Sequence, residues 1–352
     1  MSKLFYHTKP LIGLDISQTG IKVMSIDPKH WLVRGYGSLD LDPKKVQESL
    51  EDPENLYLTE KIGSLMNDHL IGDLNSDQVV IGVPTSRTYS RTFTIPTKEI
   101  SHLASAVEVE VDQYIPIPMS ALYIDYEIIE QTKEQSTVIM SAVPRQLIDS
   151  CMKAVEGVNL TPVIIEPNIN AIARVLEATE EGHLLTMIVD IGPASTDIAI
   201  LDKGVVRLTG SIAIGGNTFT LALAKYLGTT LENAHQLKVL NGLSAGPRQA
   251  KISAALKPSL SRISSEIRKV IRYYHERLGD NSKIEQLLIV GGGSNVPGIG
   301  DFFTNDLVMP ARVASPWQKL DFGKLQQPHK QFRPRYITVA GLASLNSEDI
   351  WK

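Results

Sequence analysis

Two aspartates, Asp15 and Asp190, each end an apolar strand and open a tight turn of small hydroxyl, amide and glycine residues. The first run is Leu11-Ile12-Gly13-Leu14-Asp15-Ile16-Ser17-Gln18-Thr19-Gly20-Ile21-Lys22. The second, 175 residues on, is Met187-Ile188-Val189-Asp190-Ile191-Gly192-Pro193-Ala194-Ser195-Thr196-Asp197. A third strand, Leu287-Leu288-Ile289-Val290, opens into Gly291-Gly292-Gly293-Ser294. Backbone N–H groups in such turns, with hydroxyls beside them, are donors that hold phosphate oxygens. Carboxylates at the strand ends stand where a hydrated magnesium ion would balance those phosphates, because Mg2+ sheds water reluctantly. The chemistry these residues suit is the binding of a magnesium nucleotide.

The elements that must position these groups follow from the hydropathy pattern. Each turn leads into a second strand, Ile21 to Ile26 and Ile198 to Leu201, so two similar hairpins lie in two similar halves. Between them, Thr88 to Ile95 alternates as a strand, and Ile100, Leu103, Ala104, Val107 and Val111 follow helical spacing with Glu108, Glu110 and Asp112 opposite. That helix stops at Tyr114-Ile115-Pro116-Ile117-Pro118, because proline bars continuation. Strands around Leu122 to Ile128 and Ser136 to Val143, then a helix with Leu147, Ile148, Cys151, Met152 and Val155, complete an inserted strand-helix-strand-strand-helix module. In the second half, Ile263, Ile267, Val270, Ile271, Tyr274 and Leu278 form a core stripe. Arg262, Arg268, Lys269, Arg272 and Arg277 fill the rest of that helix, interleaved with Glu266 and Glu276 as a solvated face.

Composition narrows the classes. With 352 residues the chain has room for two or three domains. Its 35 basic against 39 acidic side chains argue against nucleic acid as the main ligand. One cysteine makes no internal disulfide, eight histidines show no zinc spacing, and no run is long enough to cross a bilayer. The expectation is a cytoplasmic protein that reaches a membrane only through a partner. Gly242-Leu243-Ser244-Ala245-Gly246 has the spacing of a hydrolase elbow but follows a helix rather than a strand. Val296 stands where a dinucleotide fingerprint needs its third glycine, and Cys151 reads as core.

The three segments resemble phosphate 1, phosphate 2 and the adenosine motif of the actin-like ATPase superfamily, which includes actin, Hsp70 chaperones, sugar kinases, MreB and FtsA. Glu166-Pro167-Asn168-Ile169-Asn170-Ala171 and Ala340-Gly341-Leu342-Ala343 look like its two connecting helices. The inserted module sits as in FtsA, and Gln113-Tyr114-Ile115-Pro116-Ile117-Pro118 resembles the signature of the PilM family of type IV pilus machines. The resemblance implies an α/β, two-lobed actin-like fold, each lobe on a five-stranded mixed sheet. One lobe would comprise 11–86, 160–182 and 336–352, with the α+β module at 87–159. The other would run over 183–335, with a helical block at 229–282.

Carried over by motif, the resemblance implies that ATP or ADP is bound by Asp15, Ser17, Gln18, Thr19 and Lys22 of the first hairpin. From the second half it implies Asp190, Gly192, Ala194, Ser195, Gly215, Gly216, Asn217, His235, Lys238 and Gly291 to Ser294, including Gly292 and Gly293. Asp15 and Asp190 would reach Mg2+ through water. Ser17 replaces a usual glycine, Pro193 deletes a turn donor, and His235 replaces a usual glutamate. Glu166 is the candidate water-positioning base, with weak or no ATPase activity expected. As partner the resemblance implies the cytoplasmic N-terminal tail of PilN, held in a groove lined from Tyr89, Phe93, Tyr114, Ile115, Tyr123 and Tyr126, several of which the module's own core would claim. Such a chain would be an adaptor at the inner membrane, linked to the assembly motor and other platform proteins and able to self-associate. The competing readings are an FtsA-like division filament protein, disfavoured by a chain stopping nine residues after Ala343, and a sugar kinase, for which the module supplies no substrate domain.

Overall fold

The computed structural model describes residues 10–180, 184–278 and 282–346. Within these the chain packs as two compact units, one of 10–175, 318–327 and 338–346, the other of 176–317 and 328–337. The expected lobe boundary at 182–183 and the C-terminal stretch 347–352 lie outside the described residues.

The first unit begins with an antiparallel meander, β1 (Ile12–Ser17), β2 (Gly20–Asp27) and β3 (Leu32–Asp40). Helix α1 (Pro43–Glu51) starts where the Asp42 carboxylate accepts from the amides of Lys44 and Lys45, with proline at its first position. Helix α2 (Tyr57–Asp68), a short edge strand β4 (Leu70–Gly72) and β5 (Gln78–Val83) follow. The module comprises β6 (Tyr89–Pro96), α3 (Leu103–Tyr114), β7 (Leu122–Gln131) and β8 (Gln135–Pro144), with its own sheet in the order β6-β8-β7. Helix α4 (Arg145–Glu156), β9 (Thr161–Pro167) and α5 (Asn168–Thr179) return the chain to the main sheet, ordered β4-β3-β2-β1-β5-β9. That sheet has six strands rather than five: the three residues of β4 are too few to print an alternating pattern.

Alternation along β1 decides what faces what. Ile12, Leu14 and Ile16 join Val79, Ile81 and Val83 in a core closed by α1, α2 and α4. Leu147, Ile148, Cys151, Ala154 and Val155 of α4 belong to this core, whereas the module's own core is closed by Val107 and Val111 of α3 with Ile100, Ile115 and Ile117 of its flanking turns. Gly13 faces the other way, and a Cβ there would meet the backbone of Ala343 at 2.8 Å. That face is therefore covered by α10 (Ile337–Ala343), which crosses α5 where Gly341 abuts Ala171 with Cα as near as 3.0 Å to the position a Cβ would take. Small residues at this crossing allow the two backbones to touch.

The second unit repeats the pattern. A meander of β10 (Thr186–Ile191), β11 (Thr196–Asp202) and β12 (Val205–Ile212) leads through α6 (Gly216–Leu227), α7 (Leu231–Leu240) and the long α8 (Gln249–Leu278) to β13 (Gln286–Val290), α9 (Ile299–Leu307) and β14 (Ala311–Val313). The sheet order is β12-β11-β10-β13-β14, with β13 parallel to β10 as β5 is to β1. Each aspartate thus lies near the end of a central strand flanked by an antiparallel hairpin partner and a parallel neighbour.

Candidate functional site

The first hairpin turns on Gln18 and Thr19, closed by the pair Ser17–Gly20. The Ser17 hydroxyl, expected to donate to phosphate, instead donates to the Gly20 carbonyl at 2.8 Å. The side chains of Gln18 and Thr19 make no hydrogen bond among the described residues, leaving them available to a ligand. Asp15 stands directly opposite Lys22 in the ladder, and the Lys22 Nζ donates to its Oδ2 at 2.8 Å. The Asn168 amide donates to the other oxygen, Oδ1, at 3.0 Å, so Asp15, only 4% exposed, is held on both sides. Asn168 is the first residue of α5 and reaches Asp15 across Gly82, where any Cβ would overlap its Oδ1. That Oδ1 is buried and has no hydrogen-bond partner.

Glu166 shares a level with Asp15 across the sheet, through the pairs Asp15–Gly82 and Gly82–Glu166. Its two oxygens are taken by Arg174, whose guanidinium donates at 2.9 and 2.6 Å and also reaches the Gly341 carbonyl at 2.7 Å. A bidentate pair of this kind fixes a carboxylate firmly. Glu166 is thus engaged in tying β9, α5 and α10 together.

In the second unit the predicted residues converge. Asp190 stands opposite Asp197, whose Oδ1 accepts from the Ser211 hydroxyl at 2.6 Å, so two carboxylates share one level of the hairpin. The Gly192 amide closes its turn on the Ser195 carbonyl at 2.9 Å, while the Gly192 and Pro193 carbonyls accept from the amides of Gly216 and Asn217, both at 2.9 Å. The start of α6 is therefore fastened to the hairpin, and Gly215 must be glycine because a Cβ would press on Pro193 at 2.7 Å. The backbone amides of Ala194 and Ser195 donate to nothing among the described residues. Gly291, at φ +80°, and Gly293 back onto Asp190 and Ile191, where side chains would collide. Ser294 does not present its hydroxyl outward: it donates to the Gly291 carbonyl at 2.7 Å.

Lys238 is the most unusual group of this half. It is 6% exposed, and its Nζ donates only to the Gly216 carbonyl and the Thr220 hydroxyl, both at 2.9 Å. No carboxylate pairs with it among the described residues. Burial, reinforced by the charge of Arg335, pushes its pKa down to about 8. Exposed His235 is shifted below its ordinary value by desolvation, then by Lys238 and Arg335. Arg335, which sequence reasoning missed, lies beside Gly292 with its Cγ 3.6 Å from where a Cβ would be. It sits in a proline-containing 3-10 segment over 40 residues from the glycine turn, with no local pattern to mark it. A buried ammonium flanked by a guanidinium and lacking an acid is an arrangement that an anionic ligand completes.

In the module, Phe93 and Ile115 are spent in the core under α3, with Tyr89 packed against it. Tyr123 carries its hydroxyl to Asp149 at 3.0 Å and its ring under Arg145. Tyr114 and Tyr126 are 42% and 40% exposed. Arg91, Met140 and Tyr126 stand at one level of the three strands, Arg91 pairs with Glu110 at 2.6 Å, and its guanidinium lies 3.3 Å from the Tyr114 ring centroid. Two exposed tyrosines, Tyr114 at the end of α3 and Tyr126 on β7, thus flank the level of Arg91 and the buried Met140.

Residues 13–347 match the family model described as type IV pilus assembly protein PilM. The chain belongs to the PilM family. Type IV pilus assembly is the role that the family's description gives. Among curated relatives, the cell division protein FtsA of Neisseria meningitidis is 26% identical over 271 residues, covering 68% of this chain and 63% of its own length. The ethanolamine utilization protein EutJ of Escherichia coli is 29% identical over 147 residues, 42% of this chain and 45% of its own. The chain thus spans less than two thirds of these relatives. Among solved structures, the PilM-PilN type IV pilus biogenesis complex superposes with a TM-score of 0.78 at 22% identity, covering 95% of this chain and 97% of that one. MreB5 of Spiroplasma citri, bound to AMPPNP, gives 0.55 at 15% identity with 95% of both chains covered. The fold of this PilM-family chain is the actin-like ATPase fold.

Proposed function

We propose that this chain is a nucleotide-holding adaptor of the type IV pilus machine, carrying the cytoplasmic tail of PilN on its module and linking it to the assembly motor at the inner membrane. The observation that carries the partner is the pair of exposed tyrosines, Tyr114 stacked on Arg91 and Tyr126 on β7, on a fold that a solved PilM-PilN complex shares. An extended tail adds main-chain bonds at a sheet edge and places alternate side chains in pockets, a mode that suits the edges β6 and β7.

The residues present fit a magnesium nucleotide. The facing carboxylates of Asp190 and Asp197 suit a hydrated divalent cation, the uncommitted amides of Ala194 and Ser195 suit phosphate, and Lys238 and Arg335 supply unmatched positive charge. On the first unit by itself, the side chains of Gln18 and Thr19 are likewise uncommitted among the described residues. ATP supplies a polyphosphate whose terminal group can pass to water. The chain's own residues favour retention instead, because the Arg174 pair withholds Glu166 from water. The adaptor therefore reads nucleotide as a bound state, with slow turnover.

The test is a fluorescence-anisotropy titration of the PilN N-terminal peptide against the protein, with and without Mg-ATP. Saturable binding of micromolar strength or tighter, weakened by Tyr126→Ala, is the expected result. Absence of binding in either state removes the adaptor reading and returns an FtsA-like division role.

A further inference from the structure

The outward face of α8 is cationic along most of its length. Helix α8 has 30 residues and so spans about 45 Å. Ile252, Leu256, Leu260, Ile263, Ile267, Val270 and Tyr274 turn into the core of the second unit. Opposite them stand Lys251, Lys257, Arg262, Arg268, Lys269 and Arg272, all exposed. The spacers on this face, Ala254, Pro258, Ser261 and Ser265, are small, so the long side chains project without cover. Arg268 pairs with Asp306 at 2.9 Å and Lys269 with Glu266 at 2.9 Å. Lys251, Lys257, Arg262 and Arg272 meet no carboxylate among the described residues. Glu276 is the one acid exposed on this face, and it lies near the end of the helix. All this occurs in a chain of net charge −4, so the positive face is a local concentration rather than a consequence of overall charge.

We propose that the exposed face of α8 docks the second unit onto an acidic phospholipid surface through headgroup contacts. Complementarity of charge selects a polyanion, and the absence of large exposed apolar or aromatic side chains among the described residues of α8 selects lipid headgroups over an acidic protein. A protein partner needs central aromatic or aliphatic anchors, whereas a headgroup layer needs only cations at its surface. A rod with cations at successive turns can present all of them to one plane. Among the described residues no helix is long and apolar enough to cross a membrane, so this contact is peripheral. It is separate from the tail-binding module and does not require nucleotide.

The experiment is co-sedimentation of the full chain with vesicles of equal parts phosphatidylglycerol and phosphatidylcholine, against vesicles of phosphatidylcholine alone. Binding to the acidic vesicles is expected, fading as added salt shortens the screening length. Each cation near such a surface tightens binding about fivefold, so the triple variant Lys257→Gln, Arg262→Gln, Arg272→Gln should lose about a hundredfold in partitioning. These positions are exposed and unpaired, so the variant should fold. A control with the same change in net charge, Lys44→Gln, Lys98→Gln, Lys133→Gln, should lose little. No sedimentation with acidic vesicles at low salt overturns the proposal, as does an equal loss in both triple variants. Capture by polyglutamate without capture by vesicles also overturns it and makes an acidic polypeptide the occupant.

Discussion

At the scale of single residues, the two hairpins look alike in sequence and differ in charge. Asp15 faces Lys22 and is neutralised within its own ladder, whereas Asp190 faces Asp197. The second hairpin carries the proposed metal-facing aspartate, and Asp190→Ala should abolish Mg-nucleotide binding by calorimetry while leaving the circular-dichroism spectrum intact. Lys238 gives a sharper expectation, because its function and its contribution to stability oppose each other. Its folded pKa of about 8 lies below the ordinary lysine value near 10.4, so between these the unfolded chain binds more protons. Stability of the ligand-free protein should therefore rise as pH climbs through that window. Affinity for an anionic nucleotide should fall over the same range as the ammonium is lost. At pH 7, Lys238→Met should raise ligand-free stability by about 1–2 kcal/mol in urea unfolding, part of the buried-charge cost being offset by the two hydrogen bonds lost. The same variant should lose nucleotide binding. A destabilised Lys238→Met protein would show that the buried charge is compensated by groups other than a ligand.

At the scale of elements, sequence periodicity told which residues share a face but not what covers that face. The alternation of β6 marked Phe93 and Ile95 as apolar, and α3 lies over them, so Phe93 is core rather than groove. Tyr126 shares the α3 side at the level of Met140, yet on the outer strand β7 it stays open to solvent. Phe93→Ala should therefore cost about 3 kcal/mol in stability. Tyr126→Ala should leave thermal unfolding unchanged and weaken the PilN tail at least tenfold in the anisotropy titration. The connecting helices were legible as segments because glycine and small residues at 340–343 stood out, but their crossing was not. Gly341 meets Ala171 from far along the chain, and Arg174 ties that crossing to Glu166. Gly341→Ala should lower stability by about 2–3 kcal/mol, because backbone on both sides leaves no room to repack.

At the scale of the whole molecule, the duplication was legible because each strand-aspartate-turn-strand unit is local, and its signal survives in a dozen consecutive residues. What escaped reading was convergence: Arg335 onto the glycine turn, Asn168 onto Asp15, and the Arg174 clamp on Glu166 each join residues through tertiary packing. The same logic bears on how an adaptor of this kind would signal. The proposed nucleotide contacts fall largely on the second unit and the proposed tail-binding residues on the module of the first, so any effect of one ligand on the other would be a coupling free energy between distinct sites. Such coupling is reciprocal for equilibrium binding. If Mg-ATP tightens the PilN tail by some factor in the anisotropy titration, saturating tail peptide must tighten Mg-ATP by that same factor in calorimetry. Couplings of this sort are worth about 1–3 kcal/mol, which both methods resolve. Arg174→Met separates binding from turnover within the same scheme. Freed of its guanidinium, Glu166 should raise the rate of phosphate release from bound ATP while the tail affinity measured with a non-hydrolysable analogue stays as it was. A rise in turnover accompanied by loss of tail binding with the analogue would mean that the clamp holds the fold between the sites, and that Arg174 does not act by withholding Glu166.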